Sequence, residues 1–250
     1  EERHRQFNKY KERGAYHWRE LEGNLKRFNA GLAARYSISR GIILKNCPAP
    51  KVIVDVGCGD GVFTKMLAEA YADADVSGFD LDETAVRLAG EKTSGLVTNI
   101  RFVQGDAFRY VKKAGLITAT DVIEHLNRPE EFMKRAFSAL SGGGHLFLST
   151  PVKTSPAPAD EYHVREFGYN ELEDFSASFG FQIVEHVSSH DLKYLNNYNR
   201  PVSLLGVGRM RLYKYGYNLL AVWLNRNVFE KQTCIQPTMQ YILLRKPPGA

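Results

Sequence analysis

The 250-residue chain contains no run of 18 apolar residues, so nothing in it predicts a membrane-spanning helix. Its most apolar late stretch, Tyr217–Leu224, is far too short to cross a bilayer, runs into Asn225, Arg226 and Asn227, and reads as a buried helix face. The opening residues EERHRQFNKYKER carry charge where an apolar signal core would stand, which predicts a protein that is not secreted. Cysteine is scarce: Cys47, Cys58 and Cys234 are odd in number and have no paired spacing. That argues against a disulfide framework or a zinc cluster, and for a reduced, cytoplasmic setting. Repeats and low-complexity segments are missing. Neither sign of charge dominates, since 33 Lys and Arg against 28 Asp and Glu leave only +5, compatible with an acidic partner but diagnostic of none.

What the chain does have is enough apolar material, 44% of its residues, to bury one substantial core, with decorations. From Lys51 onward short apolar runs alternate with helical patterns, the signature of βαβ units and a mainly parallel sheet. Strands are predicted at 51–56, 75–80, 99–104, 116–121, 144–150, 181–187 and 239–245, and helices at 61–72, 83–91, 129–140 and 169–179. Asp82 is placed to cap the second of these helices, Pro129 to open the third, and Asn170 with Glu171 to begin the fourth. Gly142, Gly143 and Gly144 read as a break before the fifth strand, and Gly180 as a helix stop. Two segments escape the alternation: residues 1–50 read as an N-terminal helical lid, and 190–237 as an insertion shaping the substrate chamber. The core is then 51–189 plus 238–250.

The most informative segment is VIVDVGCGDGVF at 52–63, a strand running into a glycine turn that carries Asp55, Gly57, Gly59 and Gly61. Its spacing differs from the GxGxxG of dinucleotide sites, and the leading acid suits a ligand with cationic groups rather than phosphates. Asp80, in GFD, follows the turn by roughly 20 residues, the distance expected of a ribose-binding carboxylate. These stretches, with QGDA around Asp106, stand in order at three successive strand ends and resemble the motifs of class I S-adenosylmethionine-dependent methyltransferases. The resemblance implies an α/β, Rossmann-like, seven-stranded mostly parallel sheet with helices on both faces, and S-adenosylmethionine as cofactor. It implies that Asp55, Gly57, Cys58, Gly59, Gly61, Asp80, Leu81, Asp106, Ala107 and Asp121 hold that cofactor, with Phe79 and Phe108 flanking the adenine.

Methyl transfer to a hydroxyl needs a base near the end of the fourth strand, where TDVIEHLN supplies Asp121, Glu124 and His125 at i, i+3, i+4. A second imidazole, His163, follows the fifth strand in DEYHVREF. Asp121, Glu124, His125 and His163 together compose a candidate site for a divalent metal such as Mg. This layout resembles the small-RNA 3′-end 2′-O-methyltransferases, although Asp121 stands where they carry a glutamate. The same words also resemble the ubiquinone-type, sugar and natural-product O-methyltransferases, in which the glutamate and histidine only orient the loop. By residue type His163 and His125 are the best proton acceptors, with Glu124 beside them. His17, in GAYHWRE, lies outside these motifs and reads as a lid contact or a packing group, whereas His4, His145, His186 and His190 read as surface or core. The expected acceptor is a hydroxylated small molecule, a saccharide or polyhydroxylated natural product. The alternatives are an RNA 3′ end, a small-molecule nitrogen, and a binding module without turnover. Nucleic acid is disfavoured because Arg200, Arg209, Arg211 and Lys214 form only a loose basic cluster; a homodimer is allowed.

Overall fold

The computed structural model describes residues 9–111, 113–158, 160–203 and 209–250. His4, the first eight residues of the N-terminal segment and the Arg209 side chain lie outside the described residues. In chain order the strands are β1 (Val52–Val56), β2 (Asp75–Asp80), β3 (Ile100–Gln104), β4 (Ala114–Thr120), β5 (Leu140–Pro151), β6 (Gln182–Asp191), β7 (Val202–Ser203), β8 (Arg209–Met210) and β9 (Pro237–Arg245). Seven of them form one sheet in the order β3-β2-β1-β4-β5-β9-β6. The β1–β2, β2–β3, β1–β4 and β4–β5 pairs are parallel, and only β9 runs against its neighbours. The helices are α1 (Lys9–Arg13), α2 (Tyr16–Leu21), α3 (Ala30–Asn46), α4 (Val62–Ala70), α5 (Glu83–Thr93), α6 (Pro129–Ala139), α7 (Tyr169–Ala177), α8 (Leu192–Asn199) and α9 (Leu212–Trp223).

Alternating strand residues feed two cores, one on each face of the sheet. Val54, Ile117, Leu146, Leu148, Ile242 and Leu244 point to the face covered by α6 and α7, where Phe132, Met133, Ala136 and Leu172 meet them. Ile53, Leu116, Phe147, Tyr241 and Leu243 point the other way, onto Ile38, Ile42 and Ile43 of α3 and Phe63 and Leu67 of α4. Period-two alternation inside strands that read as continuous apolar runs is what burial on both faces produces. Each fully buried aliphatic side chain contributes about 1.5–3 kcal/mol, so α3 is as much part of the core as any crossover helix. A boundary at residue 50 therefore divides elements that share one core.

Asp82 and Pro129 act as expected, the Asp82 carboxylate accepting from the Thr84 and Ala85 amides and Pro129 standing at the start of α6; at α7 the N-cap is Gly168, whose amide donates to the Glu171 carboxylate, while Asn170 lies within the first turn. One expectation is corrected. Gly142, Gly143 and Gly144 do not precede β5 but lie within it, where the pairing jumps from Ala114–Leu140 to Leu116–His145. The glycines form a bulge, and Gly143 at φ 79° takes the left-handed conformation that it requires.

Candidate functional site

Open α/β sheets bind ligands beyond the carboxyl ends of their strands, and the tips of β1 to β5 here floor a cavity of about 1410 Å3. Its base is the glycine turn after β1, tied to β2 by bonds from the Gly57 and Cys58 amides to the Phe79 carbonyl at 2.7 and 3.0 Å. Gly57 has φ 71°, and a Cβ there would meet Val122 at 2.5 Å; Gly59 has φ 55°, and a Cβ would run into the Tyr10 hydroxyl. Both positions demand glycine on conformational and steric grounds. Gly61 serves packing instead, because a Cβ on it would strike Ala89 and Phe102, and it opens α4 outside the cavity wall.

Asp55 lies beneath the turn, not in the cavity. Its carboxylate accepts from Thr64 Oγ1 at 2.6 Å and Thr118 Oγ1 at 2.7 Å, and burial pushes its pKa up to about 6. The acid that leads the motif is thus a tie between β1, β4 and α4, and a cationic ligand group has no direct access to it. Asp80 does face the cavity, at the tip of β2. Its oxygens accept from the Asp82 and Gly59 amides, both at 2.9 Å, so it braces the turn while presenting its remaining lone pairs to the cavity. Burial raises its pKa, and the backbone donors oppose that rise. Leu81 forms the exposed rim beside it, 75% accessible. Asp106 caps the 3-10 turn Ala107–Arg109, accepting from Phe108 N, and pairs with Arg135 of α6 at 2.7 Å. Ala107 and Phe108 line the same end, while Phe79 stacks on Tyr110 with centroids 5.9 Å apart.

The N-terminal helices close over the turn through a contact that local sequence did not reveal. Asp60, within DVGCGDG, is buried and accepts from the His17 amide and the His17 ring at 3.0 Å each, while Trp18 Nε1 donates to the Asp60 carbonyl at 2.7 Å. His17 thus latches α2 to the glycine turn, and Tyr10 and Tyr16 stack behind it. The partners are 42 or 43 residues apart, so no spacing rule links them. No residue of 190–237, among those described, lines the cavity. The expectation that this insertion shapes the chamber is therefore corrected: α8 and α9 pack on Phe28, Ala30 and Ala34, the opposite face of α3 from Leu32, Arg35 and Tyr36 in the cavity wall.

On the β4–β5 side of the turn lies the chemistry. Asp121 adopts φ 55°, a strained position for a non-glycine residue, and forms an ion pair with Arg35 of α3 as well as accepting from Ser149 Oγ. Asp121 falls outside the metal set: among the described residues, Glu124, His125 and His163 are the ones that bring one ligand atom each within 4.8 Å of one another. Glu124 is buried, accepts from Thr150 Oγ1 at 2.9 Å, and has its pKa raised well above the usual carboxylate range by burial and then by Asp121. Its own carbonyl takes the Val164 and Arg165 amides, pinning the loop that carries His163. His125 Nδ1 lies 2.9 Å from the Tyr162 carbonyl, and His163 Nδ1 lies 2.7 Å from Glu166 Oε1. A carbonyl and a carboxylate only accept, so these networks assign the proton to Nδ1 in both rings, which makes Nε2 of His163 the basic nitrogen of that ring. The rings meet edge to face with centroids 5.0 Å apart. Burial lowers the pKa of His125, which keeps that ring neutral. Two imidazoles and one carboxylate fit a first-row transition ion and not Mg, whose preference is for oxygen.

Arg165 pairs with Glu171 at 2.8 Å and lies over the Phe167 ring. Nothing in the local pattern around Arg35 marks it: an arginine in a helix gives no sign that it reaches a strand tip 86 residues away.

Comparison with known proteins agrees with this geometry. Residues 23–200 match the model of a family described as a methyltransferase domain. The ubiquinone biosynthesis O-methyltransferase of Cupriavidus pinatubonensis is 31% identical over 106 residues, covering 41% of this chain and 42% of that one. The malonyl-[acyl-carrier protein] O-methyltransferase of Halalkalibacterium halodurans is 30% identical over 107 residues, covering 40% and 39%. The matches thus span about two fifths of these curated relatives. Among solved structures, a SAM-dependent methyltransferase from Archaeoglobus fulgidus superposes with a TM-score of 0.59 at 19% identity, covering 92% of this chain and 99% of that one. A Haemonchus contortus phospholethanolamine N-methyltransferase 2, solved with phosphomonomethylethanolamine and S-adenosylhomocysteine, gives 0.61 at 13% identity, covering 96% and 58%. At such identities the structures show a shared fold.

Proposed function

The chain belongs to the methyltransferase-domain family, and from that premise we propose that it transfers the methyl group of S-adenosylmethionine to an oxygen of a small hydroxylated acceptor, a saccharide or polyhydroxylated natural product. The observation that carries this reading is the convergence of Glu124, His125 and His163 on one side of the glycine turn, with Asp80 and Asp106 on the other. The cofactor, when bound, supplies a sulfonium methyl open to in-line attack, so the chain need only align the acceptor and remove its proton. Asp80 and Gly59 hold the ribose end, Asp106 and Ala107 the adenine end. His163 takes the acceptor proton at Nε2, and Glu166, 2.7 Å from Nδ1, offsets the charge that develops on the ring. His125 packs edge to face on the His163 ring and lines the same side of the cavity.

The three converging residues also fit a transition-metal ion, which would lower the pKa of the acceptor hydroxyl. In that case His163 is a ligand, and proton removal does not depend on its basicity. Transfer of tritium from methyl-labelled cofactor to pools of sugars and polyols, amines, and RNA separates these readings when run with and without a chelator. Label in the hydroxylated pool, unaffected by chelator, is the expected result. Loss of transfer on chelation favours the metal, and label confined to RNA or amines refutes the acceptor class.

A further inference from the structure

Helix α9 carries apolar residues on both faces, so the expectation that Tyr217–Leu224 is a buried helix face holds for one side only: Leu219, Trp223 and Leu224 are exposed. Its inner face, Tyr217, Ala221 and Val222, packs on Tyr198 and Phe229. Asn218 fixes the rotation: buried, it donates to the Leu25 and Phe28 carbonyls at 2.8 Å each and accepts from the Tyr198 hydroxyl at 2.9 Å. The outward arc consequently consists of Leu212, Tyr213, Gly216, Leu219 and Trp223, continued by Leu224, and contains no charged residue. Trp223 is 73% exposed, and Ile235 nearby in the chain is 92% exposed. The single charge within the helix, Lys214, is turned inward over the Tyr198 ring. A solvent-facing helix surface without charge calls for something to cover it.

The distribution of charge names the partner. Residues 192–236 hold seven of the chain's 33 Lys and Arg but one of its 28 Asp and Glu, leaving 26 against 27 elsewhere. All the net positive charge of the protein thus sits on the segment that bears the apolar arc, with Arg211 just before the helix and Arg226 just after it, both exposed, and Lys231 further along beside Glu230, over the Tyr194 ring. A second copy would bring like charge to like. A single-stranded nucleic acid needs a groove of stacking rings, whereas this surface is a convex helix dominated by leucine. From the outward arc and its cationic flanks we infer that α9 is an interfacial helix that docks the protein on an anionic phospholipid surface. Apolar residues enter the headgroup boundary, a tryptophan sits at its edge, and flanking cations meet phosphates. Among the described residues no helix is long and apolar enough to cross a membrane, so α9, at 12 residues, lies on the bilayer and does not span it. Docked this way, the surface is one helix, α3, from the cavity wall. The inference stands whichever acceptor the site uses.

The test is flotation of the purified protein with vesicles of phosphatidylcholine alone or mixed with phosphatidylglycerol. Binding is expected to the mixed vesicles only and to fall with salt. Each surface cation contributes about fivefold, so Arg211→Gln/Arg226→Gln/Lys231→Gln weakens partition by about a hundredfold. Leu219→Glu/Trp223→Glu is expected to abolish flotation while leaving calorimetric binding of S-adenosylhomocysteine unchanged, which certifies its fold. A readout on the unaltered chain is quenching by brominated phospholipid of the fluorescence that disappears in Trp223→Phe. No flotation with anionic vesicles, flotation of Leu219→Glu/Trp223→Glu equal to that of the parent, or absence of Trp223 quenching overturns the inference. So does a stable dimer, or binding of homopolymeric RNA, that the same double substitution abolishes while vesicles are ignored.

Discussion

Substitution of Asp80 by Asn tests whether the tip of β2 holds the cofactor or merely supports the turn. The wild-type carboxylate accepts two main-chain amides, Gly59 N and Asp82 N, each at 2.9 Å. An Asn amide retains one acceptor oxygen and points an NH2 group at the other amide, so one charge-assisted bond is lost and its donor stranded. Hydrogen bonds to a charged group contribute about 1.5–3 kcal/mol, and the ribose hydroxyls lose the same charge. The dissociation constant for S-adenosylhomocysteine is expected to rise by about 10- to 150-fold, read by titration calorimetry. Thermal melting should fall as well, because the turn loses a brace. A dissociation constant within about threefold of the parent, with only the melting temperature lowered, would show a scaffold role and refute direct recognition.

His163→Ala should lower turnover by about 10²–10⁴ with cofactor affinity unchanged, measured by label transfer and calorimetry, and unchanged turnover would exclude it as base. Glu166→Gln, which is close in size but removes the charge opposite the ring, should shift the pH profile of turnover, a readout that a merely structural contact leaves in place. Arg35→Met should destabilise by about 2–3 kcal/mol in denaturant unfolding, below the range for a fully buried pair because both partners are 28% exposed, and Arg35→Met/Asp121→Asn should recover most of the loss. His190 sets an acid limit. Burial lowers its pKa from 6.5 to about 4 while its Nε2 bonds the Gly31 carbonyl, so the unfolded chain takes up this proton first. Its contribution is intact above about pH 6.5 and is lost as the pH falls toward about 4, by about 3 kcal/mol in total. A His190→Gln chain whose stability falls as steeply as the parent's in that window would refute the assignment.

The strands and their order of appearance were legible because burial on both faces of a parallel sheet leaves unbroken apolar runs separated by glycine and acidic punctuation. Asp82 and Pro129 were legible for the same local reason, since a cap acts within three residues of itself. The bulge in β5 was hidden because three glycines signal freedom of the backbone and not the use made of it. Gly57, Gly59 and Asp80 in the cavity wall followed from the motif, but the depth of Asp55 did not, since only the tertiary partners Thr64 and Thr118 show that it looks down into the sheet. Asp121 was assigned to the metal set by helical spacing, yet the chain leaves β4 through a left-handed residue, and Arg35 claims the carboxylate. The latch from His17 and Trp18 to Asp60, like the Arg35 pair, joins segments far apart in sequence, and one chain read alone carries no signal for such pairs. The insertion misled for a different reason. Its aromatic content suits a chamber wall, but Tyr194, Tyr198, Tyr217 and Phe229 build a small core against α3, while Tyr213 and Trp223 face outward.

The most direct measurement is the structure of the protein bound to S-adenosylhomocysteine. The adenosine is expected across Asp80 and Asp106, with the glycine turn beneath it and the sulfur directed at His125 and His163. A nucleoside seated outside this cavity, or one whose sulfur faces the Leu81 rim with the two imidazoles remote from it, would contradict that assignment.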